Sequence, residues 1–99
     1  MKKLSEFSGK IILLSSETEA HIAEEHHEIS LKNIRDTLLF PDEVRRSSYK
    51  NSSLLYYRQR VEKRYICVIV KQCEDGFFIS TAMTTTKPKS GEVIYVKEQ

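Results

Sequence analysis

The 99-residue sequence predicts a single α+β domain, in which an N-terminal strand and two helices pack on one face of a four- to five-stranded antiparallel meander sheet. Hydrophobic residues recur with helical spacing before Pro41 and alternate along the chain after it. Short turns at Glu62-Lys63 and Asp75-Gly76 then force consecutive strands to pair antiparallel. Because a chain of this length can build only one core, residues 1–99 are expected to form one domain.

Capping residues and a proline indicate where the two predicted helices begin and end. Ser16 precedes an acidic turn, and Glu19 three residues later completes a capping box. Ser30 is a second candidate N-cap, and Pro41 ends that helix because proline cannot continue the helical hydrogen-bond ladder. The front half is therefore predicted to hold a strand over residues 10–15, a helix over residues 17–28 and a helix over residues 31–40.

Two-residue alternation predicts the strands of the back half. Ile66, Val68 and Val70 alternate with Cys67 and Ile69, so this strand is apolar on both faces and is expected to be central. The predicted strands cover residues 44–49, 54–61, 64–73, 77–85 and 92–96.

Cysteine spacing and hydropathy indicate a cytoplasmic protein. Cys67 and Cys73 are six residues apart in one predicted strand, which separates their Cα atoms by roughly 20 Å, far beyond disulfide reach. No apolar run approaches the roughly 20 residues that cross a bilayer, and no apolar segment follows the basic start as it does in a signal peptide. We therefore expect neither a disulfide nor a membrane partner.

The net charge of +2 conceals a difference between the two halves of the chain. Up to Val44 there are five Lys/Arg against nine Asp/Glu, and from Arg45 onward there are eleven against five. A charge difference of this kind between the halves indicates an anionic partner. Basic residues on a sheet edge also serve to prevent edge-to-edge aggregation.

Three histidines fall within seven residues of the first predicted helix, at His21, His26 and His27. Their spacings place no two rings on one helical face, so we expect no metal site, and no Gly-rich loop indicates a nucleotide cofactor. His21 is predicted at the rim between helix and sheet, where Glu25 at i+4 can hold its imidazole as a catalytic acid or base. His26 is predicted on the apolar face, a position more typical of a structural histidine.

Polar and aromatic side chains on two predicted strands are candidates for contacting RNA. Tyr56, Arg58 and Arg60 share one strand face, an arrangement that can stack bases and bind phosphate but is equally typical of cross-strand packing. The hydroxyls of Ser80 and Thr81 precede a basic loop and can donate hydrogen bonds to a phosphate. The lysines of that loop are Lys87 and Lys89.

The order of these features resembles the small phage- and mobile-element-associated domains of the barnase–EndoU–colicin–RelE group of RNases. The resemblance covers residues 11–95. Its carriers are the N-terminal strand, the helix with His21-Ile22-x-x-x-His26-His27-Glu28, Pro41-Asp42-Glu43-Val44, Leu55-Tyr56-Tyr57-Arg58, the apolar strand, Ser80-Thr81-Ala82 and the Lys-rich loop before Gly91. The sequence departs from the family pattern at His27, where the family often has proline, and at Met83, where it often has tyrosine.

The resemblance implies a metal-independent endoribonuclease, which attacks the phosphate with the ribose 2′-OH and leaves a cyclic phosphate. By position, His21 and next His26 would act as acid or base, and Arg58 would bind the phosphate. The other implied roles are a hydrogen bond to a non-bridging oxygen from Thr81 and charge neutralisation by Lys87 or Lys89. Many relatives are toxins restrained by an antitoxin, so an inhibitor protein is a further expected partner.

Two other functions fit the same residues. A non-catalytic module would bind nucleic acid or protein through the basic sheet face, and its affinity for RNA would fall steeply with salt. A structural α+β interaction domain would use the histidines for packing and the lysines for solvation, and it would not bind RNA.

Overall fold

The computed structural model describes residues 1–47, 53–86, 88 and 91–98, and within them the chain forms two helices and a seven-stranded sheet. In chain order the elements are β1 (Lys2–Ser5), β2 (Ile11–Leu14), α1 (Ser16–Glu25), α2 (Leu31–Leu39), β3 (Glu43–Ser47), β4 (Ser53–Val61), β5 (Arg64–Cys73), β6 (Gly76–Thr85) and β7 (Gly91–Val96). The predicted α+β class is confirmed. The predicted number of strands is wrong.

The strands lie in the order β1-β2-β6-β5-β4-β3-β7. Neighbours are antiparallel except β2 and β6, which are parallel. The predicted meander therefore holds only from β3 to β6, because β7 pairs with β3 and the two N-terminal strands extend the sheet beyond β6. Local periodicity did not predict β1, since only Leu4 of its four residues is buried. The central position of β5 is confirmed.

Serine caps begin both helices. The N-cap of α1 is Ser15, whose hydroxyl accepts the Thr18 N–H at 3.1 Å, one residue earlier than the predicted Ser16. The predicted cap of α2 is correct, because the Ser30 hydroxyl accepts the N–H of Asn33 while the Asn33 side chain accepts the Ser30 N–H. The end of α1 at Glu25 corrects the prediction of a helix to residue 28.

The main core lies between the helices and one face of the sheet, which we call the helix face. From the helices it includes Ile22, Ile34 and Leu38, each at most 2% exposed. From the central strands it includes Tyr56 and Val68, at 1% and 0% exposure. Arg58 is two residues after Tyr56 on β4, so its side chain also points toward the helices.

A smaller cluster of Leu55, Tyr57 and Cys67 is buried on the opposite face of the sheet. Register irregularities interrupt the alternation of faces between Gln59 and Val61 on β4 and between Ile69 and Val70 on β5. The irregularity at Gln59 leaves Arg60 without a register partner.

No helix among the described residues is long and apolar enough to cross a membrane. Within the described residues neither Cys67, which is buried, nor Cys73, which is exposed, is in a disulfide.

Candidate functional site at the end of the first helix

The segment that follows α1 is tied to one end of the sheet through Glu28. Arg60 on β4 donates from Nη1 to the backbone oxygen of Glu28 at 3.2 Å. Thr84 on β6 donates its hydroxyl to Glu28 Oε2 at 3.0 Å. Between these contacts lies a cleft whose lining residues are Glu28, Arg60, Val61, Arg64 and Thr84.

His26 stands beside this cleft because α1 ends there. It is the C-cap of the helix, and its backbone N–H donates to Ile22 O at 2.7 Å. Its Nδ1 lies 4.0 Å from Glu28 Oε2, and its side chain is 32% exposed. That separation is too long for a hydrogen bond, so the attraction between the two groups arises when the imidazole is protonated.

Glu28 is an anion at neutral pH. Hydrogen bonds from its own backbone N–H and from the Thr84 hydroxyl hold the pKa of its carboxyl below the ordinary value, and the nearby His26 and His27 act in the same direction. The group therefore accepts hydrogen bonds and can stabilise a positive charge on His26.

Three arginines at the ends of β4 and β5 form what we call the arginine rim: Arg58, Arg60 and Arg64. Arg60 lines a cleft with each of the other two. Within the described part of the chain, none of the three forms an ion pair with a carboxylate. Arg58 and Arg60 donate instead to neutral backbone oxygens, so their charge is not cancelled at contact distance.

Phe40 presents an aromatic ring beside the rim. Arg58 Nη1 donates to Phe40 O at 2.7 Å, and the guanidinium carbon lies 5.9 Å from the centre of the ring. The Phe40 side chain nevertheless stays exposed, at 59%. It offers an apolar surface of the kind on which nucleic-acid-binding proteins stack unpaired bases.

Acidic residues border the rim on its other side. Asp36 lines a cleft with Arg58 and Arg60, and Asp42 and Glu62 line a second cleft of about 410 Å³ together with Lys97. Asp42 is already engaged, because its Oδ2 accepts the backbone N–H of Gln59 at 2.6 Å. The surface therefore has mixed charge, with its positive part concentrated between Phe40 and the end of α1.

Two predicted contacts to substrate are corrected by the structure. Tyr56 is 1% exposed and its hydroxyl donates to Glu6 Oε2 at 2.8 Å, so its ring is a core component and is not available to stack bases. Thr81 pairs with Ile69, and Ile69 pairs with Leu55, which places Thr81 on the opposite face of the sheet. It cannot contact a phosphate held by Arg58 on the helix face.

The other predicted residues are divided between the rim and distant positions. Arg60 lines the cleft at Glu28, Arg58 lines two neighbouring clefts together with Arg60, and His26 lies 4.0 Å from Glu28. His21 is exposed on α1, and no hydrogen bond joins it to the rim in the described part of the chain. Ser80 is exposed at the irregularity of β6, four residues before Thr84. Lys87 and Lys89 lie outside the described residues.

Sequence reasoning missed Glu28, Thr84, Arg64 and Phe40 as site residues. Alternation places Thr84 on the same face of β6 as Ala82, which is buried on the helix face, but alternation alone does not tell which face of β6 that is. Phe40 gave no such signal, since its apolar side chain suggested a core position at the end of a helix.

Comparisons with models of protein families, with curated proteins and with solved structures find no match for this chain. The resemblance to the barnase–EndoU–colicin–RelE group therefore stays a prediction. Within the described residues, no three histidines, cysteines or acidic residues are grouped so that they could hold a metal ion.

Proposed function

We propose that this chain is a metal-independent endoribonuclease whose site lies between the end of α1 and the arginine rim. The observation that supports this most directly is the pair of hydrogen bonds that Glu28 accepts from Arg60 and Thr84. These bonds hold the ionised Glu28 carboxylate and Arg60 at one open cleft that Arg64 also lines, and His26 Nδ1 lies 4.0 Å from that carboxylate. Such a set contains the groups that RNA transesterification needs, namely a proton acceptor and cations for phosphate.

In the proposed reaction, His26 removes the proton from a ribose 2′-OH. The 2′-oxygen then bonds to phosphorus, the bond from phosphorus to the 5′-oxygen breaks, and that oxygen takes a proton from water. The products are a 2′,3′-cyclic phosphate and a 5′-OH end. Glu28 stabilises the imidazolium that forms, and Arg58 and Arg60 stabilise the negative charge that develops on the phosphate oxygens.

This assignment changes the roles expected from sequence. His26 replaces His21 as the principal proton-transfer group because it lies 4.0 Å from an ionised carboxylate. Thr84 replaces Thr81 as the hydroxyl of the site, because it lies on the helix face and positions Glu28. An RNA substrate and two cysteines that form no disulfide within the described residues are consistent with a cytoplasmic protein.

The test is cleavage of a labelled single-stranded RNA in the presence of EDTA, followed by analysis of the new 3′ ends. We expect the unaltered chain to produce a cyclic phosphate. His26→Ala should decrease the cleavage rate by about 100-fold or more, since a positioned acid or base accelerates such a reaction by roughly 10²–10⁴. His27→Ala is the matched control because it removes the adjacent, exposed imidazole. Arg60→Ala should also lose activity, whereas Arg35→Ala on the exposed side of α2 should retain it.

Cleavage that persists in His26→Ala refutes the assigned site. RNA that is bound intact, with an affinity that depends on Arg60 and falls steeply with salt, indicates a non-catalytic binding module instead. If RNA neither binds nor is cleaved, the chain is an interaction domain. Bacterial growth on expression gives an independent check of a toxin role, because a toxic nuclease should arrest growth and His26→Ala should relieve the arrest.

A further inference from the structure

The outer edge of β7 is open and apolar. β7 is the last strand in the sheet order, and no strand within the described residues pairs with its outer side. Val93, Ile94 and Val96 are 44%, 43% and 57% exposed. An edge strand of this composition offers unpaired backbone groups and an apolar surface to another strand.

The other edge of the same sheet is protected. β1 has only four residues, and two of them are the exposed lysines Lys2 and Lys3. Short length and lysine are the usual devices that prevent pairing at a sheet edge. β7 is longer and has no lysine, arginine or proline between Gly91 and Val96. The β7 edge therefore lacks the protection that the β1 edge has, and it can accept a partner strand.

An irregularity in β7 decides which of its side chains share a face. Val93 pairs with Arg45 and Val96 pairs with Glu43, and these two β3 residues are two apart. Val93 and Val96 therefore lie on the same face although they are three residues apart. Ile94 has no register partner at this irregularity.

We propose that two copies of this chain associate through antiparallel pairing of their β7 strands around a two-fold axis. One register satisfies the side chains: it places Val93 opposite Val96 of the second copy and Glu92 opposite Lys97. A shift by one residue would place side chains of different faces opposite each other. In the proposed register two apolar pairs form and both ends carry an opposite-charge pair, which stabilises an antiparallel ladder.

A second copy fits this edge because the strand is complementary to itself. Glu92 and Lys97 lie at opposite ends of the apolar segment, so reversing the strand brings each charge against its opposite. Interfaces of this kind between identical chains are usually isologous. Six residues bury little area, so we expect dissociation on the order of 10–100 µM.

The test is sedimentation equilibrium of the whole chain from about 1 to 500 µM, a range chosen to span that constant. We expect a concentration-dependent shift from monomer to dimer mass. Val96→Lys should remove the dimer by placing a charge in the apolar centre. Ile11→Lys is the control, because Ile11 is also an exposed apolar strand residue, at 48%, but lies near the other edge of the sheet.

Mixing two variants tests the register. Glu92→Lys places two lysines opposite each other in its own dimer, and Lys97→Glu places two glutamates opposite each other, so each alone should associate about tenfold more weakly or worse. A one-to-one mixture restores both opposite-charge pairs and should dimerise as the unaltered chain does. Because Arg46 and the other intrachain neighbours are the same in both situations, only pairing between chains explains recovery.

A monomer mass throughout the range overturns the proposal. A dimer that survives Val96→Lys shows that another surface associates, and it also overturns the proposal. Failure of the mixture to recover refutes the register.

Discussion

The buried carboxylate of Glu6 fastens the loop between β1 and β2 to the middle of the sheet. It is 3% exposed, and its Oε1 accepts the backbone N–H groups of Ser8 and Lys10 at 2.7 and 2.9 Å and the Ser8 hydroxyl. Its Oε2 accepts the hydroxyl of Tyr56 at 2.8 Å. Tyr56 is therefore the donor that connects the N-terminal loop to β4, 50 residues later in the chain.

Removing that hydroxyl with Tyr56→Phe leaves one oxygen of a buried anion without its protein donor. Burial would raise the pKa of Glu6, but the hydrogen bonds from Ser8, Lys10 and Tyr56 lower it below 4.5, so the group is charged at pH 7. Burial and the Glu6 hydrogen bond together raise the pKa of Tyr56, which keeps it a donor. A hydrogen bond to a charged group contributes about 1.5–3 kcal/mol, so we expect a loss of about 2 kcal/mol.

Urea unfolding at pH 7 measures this loss directly. For a domain of this size, 2 kcal/mol also corresponds to a decrease of roughly 10 °C in Tm. Tyr95→Phe is the matched control, because the Tyr95 ring packs against Phe7 at 4.3 Å but its hydroxyl forms no hydrogen bond within the described residues. If the two variants unfold within about 0.5 kcal/mol of each other, the Glu6 contact does not stabilise the fold as argued.

Three further changes have defined outcomes. Glu6→Gln should lower the free energy of unfolding at pH 7. In urea titrations, the difference between the two chains should decrease as the pH falls below 4.5, because a carboxyl whose pKa is lowered in the folded state stabilises that state only while it is ionised. Gly91→Ala should cost about 1–3 kcal/mol in the same assay, since Gly91 has φ +147° and an added Cβ would lie 2.6 Å from Arg46 O. Gly9→Ala carries backbone strain as well, at φ +99°, but its Cβ would meet no atom within 4 Å, so it should cost less. Phe40→Trp introduces the first tryptophan into the chain, and single-stranded RNA should quench its fluorescence while leaving that of Cys73→Trp, an exposed position at the opposite end of β5 from Arg64, unchanged.

Local sequence patterns predicted the elements that depend on near neighbours. The Ser30 cap, the end of α2 before Pro41 and the full extent of β5 needed only capping, proline geometry and alternation. β1 was not predicted, because its pairing with β2 depends on a loop that Glu6 holds in place. Glu6 is a buried acid that accepts a hydrogen bond from Tyr56, 50 positions away in the chain. Periodicity within a short segment carries no information about such a contact.

Only part of the candidate site could be predicted, again because local patterns carry no information about contacts between distant residues. Alternation places Tyr56 and Arg58 on one face of β4, but it does not tell which face of β6 matches it, because register is set by the hairpin and its irregularities. The resemblance implies Thr81 by its position along the chain, whereas the register of β5 and β6 turns Thr84 toward the face of Arg58. The early end of α1 had a similar effect, since a helix to residue 28 directs attention to His21 whereas a helix ending at Glu25 brings His26 and Glu28 to the cleft.

Lys97 has a role in both proposals. In the isolated chain this lysine lines the same cleft as Arg58 and Arg60, whereas in the proposed dimer it faces Glu92 of the second copy. Pairing of the strands would therefore withdraw one positive charge from the surface that is proposed to attract RNA. Each neutralised phosphate contact contributes about 0.7 to the salt slope of single-strand binding, so the dimer should show a slope smaller by about that amount than the monomer. Val96→Asn separates the two effects, because it places a polar group in the apolar centre of the proposed dimer without changing the charge of the chain or replacing Lys97.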